Sequence, residues 1–288
     1  MQLLKYVFPN ISTLNRNGIR GNYQERWCLA KKYGCSYVEI PAHLIKNKSE
    51  LQLTGQYEGT IAFEESIYKM YGDENIPREM RYILHTEPAI GSGKLYWYDN
   101  AWTGLYIDMI LGISLQIGRA PSYVEVHPGN NKNSITNILS FVDALCTQYT
   151  DNGISVPTIL LENRTGHKIS CGEDMRELWT TLETDYPHLA ESFGFVVDFR
   201  TMYTQITKMY VADYAARLLE SIESIPPKSI LGAHIHNTHF YVPTLQDEVP
   251  WEQIMQLLGS LNHDIIVNPE VNKEILAKNT LQFVRGFF

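Results

Sequence analysis

The chain has 288 residues, 44% hydrophobic and 19% charged, which is enough apolar surface for a large core and excludes the composition of a disordered chain. A formal charge of −8 argues against coating nucleic acid or an anionic membrane through bulk electrostatics, while leaving room for a local basic cleft. One domain over residues 1–288 is expected from the length. Cys28, Cys35, Cys146 and Cys171 form no C-x-x-C pair, the opening MQLLKYVFPNIST is too short in its apolar run for a signal core, and nothing approaches the roughly 18 apolar residues of a membrane span; a reducing cytoplasm is the expected setting.

Along the chain, short β-rich runs alternate with stretches of helical period. The first run, residues 6–8, leads into Pro9-Asn10-Ile11-Ser12, without the glycine-rich loop that opens a doubly wound sheet. A helix is predicted over 23–33. The second run, 37–40, contains Glu39 and lies near His43; Glu39 is placed to hydrogen-bond a metal-bound imidazole or to make an interior salt bridge. Residues 47–77 show only a modest helical pattern, around 63–71. The third run, 82–84, precedes His85. Gly91-Ser92-Gly93-Lys94 follows without the spacing of a phosphate loop, and then comes an aromatic stretch from Tyr96 to Trp102. Trp97 in it is a candidate to stack on a base or sugar ring, the alternative being packing on a rim.

A helix over 105–117 is followed by the fourth run, 123–126, and His127-Pro128-Gly129. A helix over 135–149 and the fifth run, 158–161, lead to Glu162-Asn163, with Arg164 just beyond. A helix over 174–182 and the sixth run, 195–197, lead to Asp198, with Arg200 two residues on. A helix over 212–222 and the seventh run, 230–233, lead to His234-Ile235-His236-Asn237 and His239. A helix over 251–261, the eighth run, 264–267, then Glu270 and a helix over 273–284 complete the series.

Strand followed by helix, eight times, predicts a (β/α)8 TIM barrel, whose strand ends gather on one face. From the third strand onward those ends carry His85, His127, Glu162, Asp198, His234 and Glu270, at intervals of 42, 35, 36, 36 and 36 residues. Imidazoles mixed with carboxylates suit zinc, manganese, iron or cobalt better than calcium or magnesium, and like charges gathered at one mouth need a cation to neutralise them. Arg164 and Arg200 are placed to grip a phosphate or to pair with a carboxylate. His236 and His239 are placed to orient His234 or to touch substrate.

These motifs resemble the endonuclease IV family of apurinic/apyrimidinic endonucleases, within the wider superfamily of xylose-isomerase-like barrels. The resemblance rests on the histidine after the third strand, the HPG at 127–129, the Glu162-Asn163 pair, Asp198, the segment from His234 to Asn237 and the final Glu270. It implies that His85, His127 and Glu162 hold one metal ion and that Glu162, Asp198, His234 and Glu270 hold a second, with Glu162 bridging. Glu162, Asp198 and Glu270 are then the catalytic carboxylates. Two departures stand out. The family has a histidine where this chain has Thr201, and a D-x-H where it has Asp247-Glu248-Val249, so a third metal site is lost and Asp247 is left as a contact for substrate.

Two divalent transition-metal ions, zinc foremost, would suit phosphodiester hydrolysis on damaged DNA or on a small phosphorylated substrate. The set Glu162, Asp198, His234 and Glu270 also resembles the one-metal site of sugar isomerases and epimerases, which predicts proton transfer on a sugar-like substrate. A barrel that binds without catalysing is the third reading.

Overall fold

A computed structural model describes residues 4–11, 23–42, 76–86, 96–209 and 211–288. Eight strands, β1 (Leu4–Phe8), β2 (Tyr37–Ala42), β3 (Tyr82–Thr86), β4 (Tyr123–Val126), β5 (Thr158–Glu162), β6 (Phe193–Asp198), β7 (Ile230–His234) and β8 (Ile265–Asn268), pair in parallel and in chain order. β8 returns to β1 through Leu4↔Ile265, Lys5↔Ile266 and Tyr6↔Val267 and so closes the ring. The (β/α)8 barrel expected from the strand–helix rhythm is the architecture found. The helices are α1 (Tyr23–Lys32), α2 (Asn100–Ile117), α3 (Ile135–Asp151), α4 (Gly172–Asp185), α5 (Phe199–Ile206), α6 (Tyr214–Glu223), α7 (Trp251–Ser260) and α8 (Glu274–Arg285). His43, the stretch around 63–71 and Gly91-Ser92-Gly93-Lys94 lie outside the described residues.

Two helices differ from expectation. α2 begins at Asn100 rather than 105, because the Asp99 side chain accepts a hydrogen bond from Trp102 N and caps the first turn. Only the end of the aromatic stretch, Trp102, is helical; Tyr96, Trp97 and Tyr98 lie in the turn before it. α5 was not anticipated at all. Asp198 caps it through Thr201 N, and Phe199, Met202, Tyr203 and Ile206 recur at helical spacing and are buried.

Strand alternation organises the interior. A plug of Val7, Tyr37, Ile83, Leu160, Val196 and Ile266, with Tyr123 and Leu231 against it, draws one residue from every strand. Two residues further along the same strand faces stand Glu39, His85, Glu125, Glu162, Asp198 and Asn268, all buried. An apolar floor therefore carries a polar layer at the C-terminal ends of the strands, and the floor keeps water from reaching that layer from below.

Candidate metal centre at the barrel mouth

His85, on β3, faces Glu125 on β4 in register, and Asp198 on β6 faces His234 on β7. His127 follows β4 directly, and Gly129, in the left-handed region at φ 73°, turns the chain away after Pro128. The result is a triangle of ligand-type atoms. His127 Nε2 lies 2.9 Å from Glu162 Oε2, His85 Nε2 lies 3.4 Å from His127 Nε2, and His85 Nε2 lies 3.5 Å from Glu162 Oε2. Two atoms each about 2.1 Å from one ion stand about 3.0–3.4 Å apart at octahedral to tetrahedral angles, so the triangle fits a single transition-metal ion.

A second group, Glu162, Asp198 and His234, also brings its ligand-type atoms within 4.8 Å of one another. Glu270 joins it from beyond β8. Its Oε2 lies 3.1 Å from His234 Nδ1, yet neither atom has a hydrogen-bond partner although both are buried. Glu270 Oε2 is also 3.1 Å from His236 Nε2, and its lack of alignment with His234 Nδ1 leaves both atoms placed to share a cation. Glu270 itself has φ 34°, in the region that disfavours side chains, and the turn is held by Asn268 Oδ1 on its N–H and His239 Nδ1 on its carbonyl oxygen.

Electrostatics tie the groups together. Burial opposes ionisation of Glu162, but His127 and Arg164 outweigh it and hold the carboxyl well below its usual range. Burial likewise works against charge on His85 and His234, yet hydrogen bonds from His85 to Glu162 and Glu39, and the charges of Glu270 and Glu125 beside His234, push both imidazoles well above the ordinary value. His236, 3.1 Å from Glu270 Oε2 and 3.3 Å from Asp198 Oδ2, is raised to about 10: burial resists its protonation, and Asp198 and Glu270 overcome it.

The remaining candidates divide. Arg164 donates to Glu162 Oε1 at 3.2 Å and lines a cleft over the metal groups with Pro9, Asn10, His239, Phe240 and Glu270. Asn237 is half-buried in the same loop after β7, where its N–H donates to Tyr241 O. Trp97 faces the packed interior. Its ring is 3% exposed and stacks on Phe141 at 4.0 Å, and its indole N–H donates to His127 O, so it supports the turn after β4. Asp247 is spent locally, accepting from Thr244 N, Thr244 Oγ1 and Trp251 Nε1. Arg200 reaches out toward the exposed Glu248 at 4.0 Å and lies over the Tyr203 ring. Thr201 donates from both N–H and Oγ1 to Asp198 and so aims that carboxylate.

Sequence reasoning overlooked Glu125, Asn268 and Asn10. Glu125 contacts His234 Nε2 at 3.2 Å, while Asn268 Nδ2 and Asn10 N both donate to Glu39 Oε2. The available signal was alternation: Glu125 sits two residues before His127, on the same face of β4.

No family model and no curated protein matches the chain. Solved structures do. A D-tagatose 3-epimerase-like protein has TM-score 0.58 at 15% identity, over 99% of this chain and 97% of its own. An AP endonuclease of family 2 from Brucella melitensis has TM-score 0.58 at 12% identity, over 99% of both chains. The IOLI protein with a bound zinc atom has TM-score 0.56 at 15% identity, over 99% of this chain and 96% of its own. Shared with all three across almost the full length is the fold, a closed (β/α)8 barrel.

Proposed function

We propose that the protein is a metal-dependent hydrolase of endonuclease IV type, acting on a phosphodiester through a dinuclear centre in which Glu162 bridges two ions, zinc foremost. The observation that carries this reading is the His85–His127–Glu162 triangle, since a one-ion isomerase site needs only the second group. Charge supports the count. Glu39, Glu125, Glu162, Asp198 and Glu270 bring five formal negative charges into or against the buried layer, more than Arg164 and His236 offset, which favours bound cations. When bound, such ions supply Lewis acidity at a phosphoryl oxygen and a nucleophile at neutral pH. The chain's own groups do the rest: Arg164, anchored by one N–H on Glu162, has further N–H donors for a phosphate oxygen, and Asp198 and Glu270 hold protons of the attacking or leaving oxygen.

Purified protein is expected to carry about two transition-metal ions per chain and to cleave an abasic-site duplex or bis(4-nitrophenyl) phosphate in a chelator-sensitive way. Glu162→Gln should remove most of the metal and lower kcat/KM at least about 100-fold. Wild-type protein free of divalent ions after reconstitution, or a variant with full metal and activity, overturns the reading.

A second reading, isomerisation or epimerisation of a sugar or sugar phosphate at one ion, is favoured by the cleft, about 350 Å³ among the described residues, which suits a small molecule. The epimerase-like neighbour points the same way. Solvent-proton exchange into a ketose, with no phosphodiester cleavage, would select it.

A further inference from the structure

We propose that Glu125 and Glu39 are positioning residues that fix opposite tautomers on two histidines of the metal centre, so that His234 presents Nδ1 to its ion while His85 presents Nε2. The proposal rests on the two-group reading above and goes beyond it in naming the atoms.

The argument starts from what a carboxylate can do. Once ionised it only accepts hydrogen bonds, so an imidazole nitrogen that points at it carries the proton and the other nitrogen is left with a lone pair. Glu125 Oε2 faces His234 Nε2 at 3.2 Å, and Glu39 Oε1 faces His85 Nδ1 at 2.9 Å. The nitrogens left over are the ones already turned to the ligand atoms: His234 Nδ1 toward Glu270, and His85 Nε2 toward His127 and Glu162. Both carboxylates are buried, at 0% and 4% exposure; Glu125 does not line the cleft, whereas Glu39 borders it with both oxygens already engaged. Glu39 is locked by its other oxygen, which accepts from Asn10 N and Asn268 Nδ2; Arg26 in turn donates to Asn10 Oδ1. Glu125 stands between the two groups, its Oε2 also 3.7 Å from His85 Nδ1. The polar layer above the apolar plug is thus a scaffold for two imidazoles, each braced from below by its own acid.

The test uses zinc alone as the probe. In histidine-labelled, zinc-loaded protein, two-bond ¹H–¹⁵N spectra should show His234 protonated at Nε2 and His85 protonated at Nδ1. Competition titrations should resolve two zinc affinities. Glu125→Leu should weaken the His234 group by about 10–100-fold and the His85 group less. Glu125→Gln, whose carboxamide oxygen still accepts, should keep the Nε2 proton and most of the affinity. Glu39→Gln serves as the mirror arm on His85. A wild-type spectrum with His234 protonated at Nδ1, or a Glu125→Leu variant with both affinities unchanged, overturns the proposal. If Glu125→Leu does not fold, the wild-type spectrum and the Gln variant still decide it. Failure of wild-type protein to bind zinc would instead overturn the metal reading itself.

Discussion

His85 and His234 are held above the ordinary imidazole range, burial being outweighed by Glu162 and Glu39 for the first and by Glu270 and Glu125 for the second. A raised value means that each ring keeps its proton to higher pH than a free imidazole would. Coordination requires the neutral ring. Zinc loading at pH 7 is therefore expected to expel protons, with the number falling as pH rises. Calorimetric titrations in two buffers of different ionisation enthalpy check this; identical apparent enthalpies would rule it out. At this scale the sequence was most informative. Six strand-end donors at near-constant spacing revealed which side chains meet, because a parallel barrel converts regular spacing into convergence. Glu125 stayed hidden for a physical reason. A lone glutamate inside a strand reads as one more polar position until the register shows that His85 is its neighbour and His234 its partner. For Trp97 the sequence left stacking and packing open, because an aromatic run looks the same whether its rings face water or a core.

Among the elements, the seam between α4 and α6 is the most constrained by backbone. Gly172 opens α4, its N–H donates to Ser221 Oγ on α6, and a Cβ there would stand 1.7 Å from Ser221 O. Glu173 adds bonds to Arg217 and Ser221. Backbone cannot swing aside as a side chain can, so Gly172→Ala is expected to destabilise the fold by about 2 kcal/mol or more, read as a lower denaturant midpoint at unchanged metal stoichiometry. An unshifted midpoint would show that the helices separate at no cost. Helix starts were where sequence reading fell short. α2 gains an early turn from the Asp99 cap, and α5 is short enough that its apolar spacing was eclipsed by the strand residue that caps it.

Across the whole molecule, the ring of eight parallel strands was legible from rhythm alone, because each repeat of strand and helix admits few other closures. The described helices include none long and apolar enough to cross a membrane. Ions bound only by the folded barrel stabilise it by mass action, about 2.7 kcal/mol at a free concentration 100-fold above Kd. Chelation should accordingly lower the melting temperature by several degrees, and readdition of zinc should restore it, in scans of one cooperative transition. A melting temperature indifferent to chelator would mean that no ion is bound in the native state.

The placement of Glu162 on β5 has one more implication. The first candidate group draws on β3, β4 and β5, and the second on β5, β6, β7 and the turn after β8. Severing the chain before β5 breaks the former set, and severing it after β5 breaks the latter. Neither half of the cylinder keeps both candidate groups, so under the two-ion proposal Glu162 would join the two halves, and a loaded pair of sites would report the entire ring.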